Sequence, residues 1–409
     1  MRIAMIHTPL TGRGGGERQI LRLAIELQKL GHEVKIFVNA VDEETCYPNL
    51  LNKVTINVIS HPLVRFKPLY RRVVKKRGIF YDSVFPRMIN IGRSIPKGFD
   101  IINNHNYPTE WAASIARRRL KIPVVWMCNE PPFWFFLPEN RKRLRKMNWP
   151  LFEVLDRIAV KNIDDIVVLS SIAARRVKET YNRSSKVVRS GVDVEFFHNA
   201  SGGDVRKKYG LENDFILLHV GNFDPIKRQS DSIKAVYCLS RDYDNVKLIL
   251  DGSGARDELV RLSEKLGVRD KVLFLQSVSD EDLAEVYAAC DVFVFPSQIT
   301  WGLAVTEAMA AAKPVVVSRE AGASEIIQSG VNGIVVDHAK PEEMVKQVKL
   351  LMNNPKLRKR LGENAYEYVK NNLSWKKYAE NMESIFRQAI LAFKESNKRN
   401  ASYSLSFSI

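Results

Sequence analysis

The chain reads as two successive series of short apolar runs, each run closed by a turn and followed by a helical stretch. That alternation restricts it to an α/β layout. In the first series the strands are Arg2–His7, Val34–Val38, Val54–Ile59, Ile101–His105, Val124–Met127 and Ile166–Leu169. Between the first two, Glu17–Leu30 carries Ile20, Leu23, Ala24, Leu27 and Leu30 on one face, and Gly31 stops it. Phe215–Val220 restarts the pattern, followed by Val246–Leu250, Val272–Leu275, Val292–Phe295, Val315–Val317 and Ile334–Val336. Strands that alternate with helices build parallel, doubly wound sheets. A length of 409 residues fits two such cores better than one. The polar segment His198–Lys208 marks the linker, giving a first domain over 1–197 and a second over 198–374. Residues 397–409 carry no helical period and read as a loose tail.

Charge separates the two halves. Residues 1–200 hold 34 of the 63 Lys and Arg but 18 of the 46 Asp and Glu, so nearly all of the net charge of +17 lies there. It gathers in Arg65–Arg77, Arg117–Lys121 and Arg141–Lys146, near Phe66, Tyr70, Phe133–Phe136 and Trp149. Basic clusters beside aromatics fit an anionic membrane surface or a lipid phosphate. A solvated basic face over a buried aromatic core is the alternative. Nucleic acid ranks below both, since no nucleic-acid motif accompanies the charge. Four cysteines without close pairing point to neither a zinc site nor a disulfide framework, which suits a reducing cytoplasm. No apolar run reaches the length of a spanning helix. The expectation is therefore a cytoplasmic protein, peripheral on the inner face of the membrane.

Ligands of open parallel sheets bind beyond the carboxyl ends of the strands, and this sorts the polar motifs. Gly12–Gly16 follows the first strand, His105 ends the fourth, and Asp251-Gly252-Ser253-Gly254 follows a strand of the second series. The densest stretch is Ser297–Val317, SQITWGLAVTEAMAAAKPVVV. Trp301-Gly302-Leu303 makes a turn, Glu307–Ala312 a helix, Lys313-Pro314 a stop and Val315–Val317 a strand. Glu307 is expected in the helix's first turn, where N–H groups attract a phosphate and a carboxylate can accept from two ribose hydroxyls. An acidic first turn that only complements the helix dipole is the alternative. Asp242-Tyr243-Asp244 has the spacing of a metal-binding pair, but it precedes its strand and reads as a surface turn.

Ser297–Val317 resembles the nucleotide-binding signature of retaining glycosyltransferases built from two Rossmann-like domains across a cleft, the GT-B architecture of family 4 and group 1. That signature runs Glu, two residues, Gly-Leu, then Glu-Ala-Met-Ala. Its second glutamate maps onto Glu307, while its first falls on Ile299. The resemblance extends from Met1 to about Ala392. It implies that the second domain holds a nucleotide-diphosphate sugar, GDP-mannose or a UDP-sugar, through Asn222, Lys227, Val278, Gly302, Leu303, Ala304 and Glu307. Asn222 stands where the family has an arginine. Gly15 and Gly16 would approach the diphosphate or the acceptor, and His105 would sit beside the reacting sugar as a catalytic group with Glu307. The resemblance also implies transfer with retention, no metal and no cofactor, a structural Ala321–Glu325, and a last helix over 375–396 that crosses back to the first domain. A lipid-linked or glycan acceptor would meet the basic face, with Arg71, Arg72, Lys75, Arg141, Lys142, Arg143 and Arg145 on the membrane side. A catalytically impaired scaffold, a sugar-nucleotide epimerase on the same fold and a nucleic-acid-binding module are the alternatives.

Overall fold

The protein's structure, a computed structural model, describes residues 1–59, 80–132, 149–276, 278–298 and 301–406, with backbone alone at 80–85, 149–152 and 400–406. Ile299 and the basic residues Arg71, Arg72, Lys75, Arg141, Lys142, Arg143 and Arg145 lie outside the described residues. By its contacts the chain divides into two units. One is Met1–Leu169 with Ala173–Val188 and Tyr378–Ile409; the other is Ser170–Ile172 with Arg189–Lys377.

In the first unit, the described strands are β1 (Arg2–Ile6), β2 (Glu33–Val38), β3 (Thr55–Val58), β4 (Ile101–His105), β5 (Val124–Met127), β6 (Asp165–Val168) and β7 (Lys186–Val187). They form one parallel sheet in the order β3-β2-β1-β4-β5-β6-β7. The order reverses at β1, where β1 and β4 lie side by side with Ile3 against Ile101. That reversal is where such sheets open to ligands. Helices α1 (Gly15–Lys29), α2 (Thr109–Leu120), α3 (Trp149–Lys161) and α4 (Ser171–Tyr181) connect the strands. Ile6, Ile102, Val124, Trp126, Ile166 and Val168 of the sheet pack with Ala112, Ala113 and Ala116 of α2 in one core.

The second unit repeats the layout. Strands β8 (Phe215–Val220), β9 (Val246–Asp251), β10 (Val272–Phe274), β11 (Val292–Phe295), β12 (Val315–Ser318) and β13 (Ile334–Val336) lie parallel in the order β10-β9-β8-β11-β12-β13. Its reversal falls between β8 and β11, with Val292 opposite Leu217. Helices α5 (Asp280–Ala289) and α6 (Leu303–Ala310) flank β11. The core joins Leu217, Leu248, Leu250, Val292, Val294 and Val316 to Ile233, Val236, Val348 and Leu351. The last helix, α7 (Trp375–Ser406), begins in this unit and belongs to the first from Tyr378 onward.

Two boundaries differ from the sequence reading. The main segment of the second unit starts at Arg189, so residue 197 lies inside it. Backbone contacts fasten the segment there: Val192 N–H donates to the Leu373 carbonyl at 2.9 Å, and a Cβ on Gly191 would stand 2.3 Å from the Trp375 nitrogen. Composition carries no trace of such contacts. The expected tail is also helical as far as Ser406. Asn397–Ser406 contains neither Gly nor Pro, so nothing in it breaks a helix that has already nucleated.

Candidate functional site

In the second unit the carboxyl ends of the strands are tied into one surface. Gly221 N–H donates to the Asp251 carbonyl at 2.8 Å, and Phe223 N–H to the Ser253 carbonyl at 2.7 Å. A Cβ on Gly252 would lie 2.1 Å from the Gly221 oxygen, so the loops after β8 and β9 touch only because that residue is glycine. Gln229 Nε2 donates to the carbonyls of Gly221 and Asn222 at 3.0 and 2.9 Å. On the other side Gln298 N–H reaches the Ile226 carbonyl at 3.1 Å, joining the loop after β11. Val278 N–H points at Asp251 Oδ1 from 3.5 Å.

Lys227 brings a cationic group to this surface from the one-turn 3-10 segment Pro225–Lys227, its Nζ 5.7 Å from the centre of the Phe295 ring. Beneath it His219 is buried, with Nδ1 2.9 Å from Ser232 Oγ. Burial, aided by the Lys227 charge, pushes His219 down to about 3, so it stays neutral beside the lysine. Asn222 brings no charge in place of the family's arginine, and its Oδ1 accepts from Ser253 Oγ at 2.8 Å. Arg228 does not substitute for it. Its guanidinium is paired with buried Asp231.

The helix α6 begins at Leu303, earlier than the sequence reading placed it. Gly302 precedes it at φ +81°, and a Cβ there would stand 2.9 Å from Phe295 Cε1. The left-handed glycine turns Leu303 and Ala304 into the helix's first N–H positions. Glu307 therefore lies in the second turn. It is 6% exposed, and Tyr287 of α5 donates to its Oε2 at 2.9 Å. Tyr287 and Gln229 were not singled out from sequence. A tyrosine inside an apolar helix face and a glutamine in a helix's first turn give no local signal.

Glu325 accepts the N–H groups of Ser171 and Ile172 at 2.9 and 2.8 Å, a structural use of the Ala321–Glu325 segment. Asp242 pairs with Lys349 ahead of β9, at the amino end of the sheet. Among the described residues, no group of three or more His, Cys, Asp or Glu is placed to hold a metal ion.

The first unit places His105 at the carboxyl end of β4, fully buried. Asn103 Nδ2 donates to the Val125 carbonyl at 2.9 Å, which leaves Asn103 Oδ1 as the acceptor for His105 Nε2 at 2.8 Å. Nε2 thus carries the proton and Nδ1 keeps a bare lone pair, with no hydrogen-bond partner among the described residues. Burial, then the neighbouring His7, hold His105 well below the usual histidine range. In this neutral state Nε2–H is used on Asn103 and Nδ1 is the nitrogen that can accept a further hydrogen bond. Gly15 and Gly16 are not in a loop but open α1, and a Cβ on Gly16 would stand 2.5 Å from Asn106 Nδ2.

Comparison with known proteins now adds to this geometry. The family described as Glycosyltransferase Family 4 matches residues 13–196, and that described as Glycosyl transferases group 1 matches residues 203–368. A D-inositol 3-phosphate glycosyltransferase of Saccharomonospora viridis is 25% identical over 404 residues, covering 93% of this chain and 90% of the relative. Anabaena HepE, solved in complex with UDP-glucose, superposes with a TM-score of 0.74 at 20% identity over 95% of this chain and 100% of its own. A sucrose-phosphate synthase from Thermosynechococcus elongatus superposes with a TM-score of 0.75 at 18% identity, covering 96% and 100%. Both structures share the parallel two-domain fold. With one family match on each unit and a full-length relative beside them, the chain belongs to the group 1 and family 4 glycosyltransferases of GT-B fold.

Proposed function

We propose that this protein moves a hexose from a nucleotide-diphosphate sugar to a lipid-linked or glycan acceptor at the membrane surface, with retention and without a metal. The observation that carries the reading is Glu307, a buried carboxylate set one turn behind the left-handed Gly302. There it accepts from the ribose hydroxyls, while the N–H groups of Leu303 and Ala304 and the Lys227 ammonium receive the diphosphate. Val278 lies beside the base. These same groups neutralise the departing diphosphate, which is the work a metal would otherwise do. His105 Nδ1 takes a hydrogen bond from a hydroxyl of the reacting sugar. HepE's complex with UDP-glucose supports a uridine nucleotide as donor, and GDP-mannose remains in the test. The relative's inositol 3-phosphate supports a phosphorylated acceptor. The basic clusters Arg71, Arg72, Lys75 and Arg141–Arg145 would hold the enzyme on the anionic cytoplasmic face.

A second reading has its own observation. Asn222 replaces a bidentate phosphate donor and is engaged with Ser253. A scaffold that binds nucleotide without transfer would look the same. Titration calorimetry with UDP, GDP, UDP-glucose and GDP-mannose decides the donor. Incubation with the donor that binds, phosphatidylinositol or inositol 3-phosphate, and NMR of the product's anomeric proton decide the rest. No binding of any nucleotide refutes the transferase reading. Tight binding without transfer or donor hydrolysis leaves the scaffold. An inverted product removes retention.

A further inference from the structure

Of the three basic clusters in the sequence, Arg117–Lys121 is the one that the described residues include, and its four basic residues divide into two kinds. Arg117 grips Asp164 through Nε and Nη2 at 2.8 and 2.7 Å, and Arg119 donates to the Ile95 carbonyl. Those two are structural. Arg118 and Lys121 are exposed and have no ion-pair or hydrogen-bond partner among the described residues. Both line a groove of about 720 Å³ at the end of α2, closed on its far side by Ala389, Ala392, Phe393, Ser396 and Asn397 of α7. The volume is within the range of small-molecule sites.

The electrostatics of the groove follow from its partners. Its two acids are spoken for: Asp164 by Arg117 and by the Val124 N–H at 2.8 Å, Asp165 by Lys186 at 3.0 Å. Arg118 and Lys121 therefore face the opening as uncompensated cations. Phe393 supplies a flat apolar wall, held in place by the Arg117 guanidinium 5.1 Å from its ring centre. Lys121 holds φ +54° at the helix's left-handed cap, a position where glycine would cost less. Keeping a lysine there keeps its ammonium at the groove mouth. The groove lies at the amino-terminal edge of the sheet, where β5 and β6 begin, at the other end of the strands from His105.

We infer that this groove is a binding site for a phosphate group, separate from the donor site, in which Arg118 and Lys121 receive the phosphate oxygens and the remainder of the ligand lies along Phe393 and Ala392. The phosphate can belong to a soluble ligand or to a lipid headgroup. Arginine suits the bidentate contact and lysine adds a point charge.

The test uses the full-length protein with saturating UDP, which keeps the probe out of the nucleotide site. Binding of inorganic pyrophosphate is followed by calorimetry. In parallel, co-sedimentation is measured with vesicles of phosphatidic acid in phosphatidylcholine and with phosphatidylcholine alone. Two variants address the groove in different ways. Arg118→Glu with Lys121→Glu reverses its charge, and Ala392→Trp fills it without changing charge. Lys207→Glu with Lys208→Glu, in the other unit, makes the same change of net charge as a control. Each variant's folding is verified by its melting temperature. The inference expects both groove variants to weaken binding about tenfold or more and the control to leave it near wild type. Pyrophosphate binding alone assigns a soluble ligand, and vesicle binding sensitive to Ala392→Trp assigns a headgroup. The inference is overturned if wild type binds neither probe. It is equally overturned if Ala392→Trp binds as wild type does, since the cations then act as a surface field.

Discussion

The sharpest consequence of the fold concerns two carboxyl groups in the first unit. Glu110, in the first turn of α2, is fully buried, and among the described residues no N–H or hydroxyl donor hydrogen-bonds to either of its oxygens. Beside it is Asp156 of α3, 2% exposed, which accepts from Trp111 Nε1 at 3.1 Å and from the Tyr181 hydroxyl at 2.9 Å. Asp156 is thus served by donors and takes the charge, while Glu110 keeps a proton and donates it to Asp156. Burial first, then the Asp156 charge, push Glu110 well above its ordinary value of 4.5. The native state therefore binds a proton that the unfolded chain releases above about pH 4.5. The stability this proton gives is whole below that value and is lost as pH rises toward the folded-state titration. The loss is about 1.4 kcal/mol per pH unit, hence up to about 2.7 kcal/mol across two units. Glu110→Gln places an amide N–H where the proton was and does not titrate. Hydrogen exchange of peptides covering α2, in urea, at steps from about pH 5 to pH 7, measures this unit alone. The variant should gain on wild type at each step upward in pH. A difference between the two that stays constant with pH would falsify the shared proton, and a variant less stable at every pH would mean that the glutamate is ionised and paired.

Three further outcomes test the site. Glu307→Ala should weaken UDP binding by about 1.5–3 kcal/mol for each ribose hydrogen bond lost, and wild-type affinity in calorimetry removes the ribose role. Gly302→Ala should lower stability by about 1–2 kcal/mol from the left-handed backbone alone, with more from the Phe295 contact; an unchanged urea midpoint refutes the strain at φ +81°. His105→Ala should cut turnover about 10²–10³-fold while UDP affinity holds, and an unchanged kcat makes His105 structural.

What the sequence discloses follows physical lines. Phe215–Val220, Val292–Phe295 and Ile101–His105 are strands at the boundaries read from sequence. In the first two, a central parallel strand buried on both faces shows as a largely apolar run, whereas Ile101–His105 carries that signal only in its two isoleucines and buries Asn103, Asn104 and His105. The edge strand Lys186–Val187 is two residues long and partly exposed, so it leaves no such run. Glu307 was legible as a helix residue but not its turn of helix, since only the three-dimensional clash at Gly302 reveals where α6 starts. Tyr287 with Glu307, and Glu110 with Asp156, come from separate helices, and no spacing rule joins them. The basic cluster Arg117–Lys121 was legible as charge. Its division into structural and free cations was not, because that depends on Asp164 and Ile95, which the fold brings to it.

The glycine at position 16 shows how a motif can be read correctly as a constraint and differently as a function. His7 Nδ1 lies 3.0 Å from the Thr8 carbonyl. A carbonyl only accepts, so Nδ1 carries the proton and Nε2 is an acceptor. Asn106 Nδ2 then donates to Nε2 at 2.9 Å, and Asn106 Oδ1 must accept. It does so from Asn129 Nδ2 at 2.6 Å, whose other hydrogen goes to Gln19 Oε1 at 2.7 Å. One backbone oxygen fixes the direction of the whole chain across the carboxyl ends of β1, β4 and β5 and onto α1. The chain requires a neutral His7, and burial supplies it by pushing His7 down to about 4. The Asn106 amide can occupy its place only because Gly16 has no Cβ, which would approach Asn106 Nδ2 to 2.5 Å. A glycine there is demanded by this network whether or not a phosphate ever approaches it. Because Asn106 directly follows His105, the network also fixes the turn that carries the histidine out of β4.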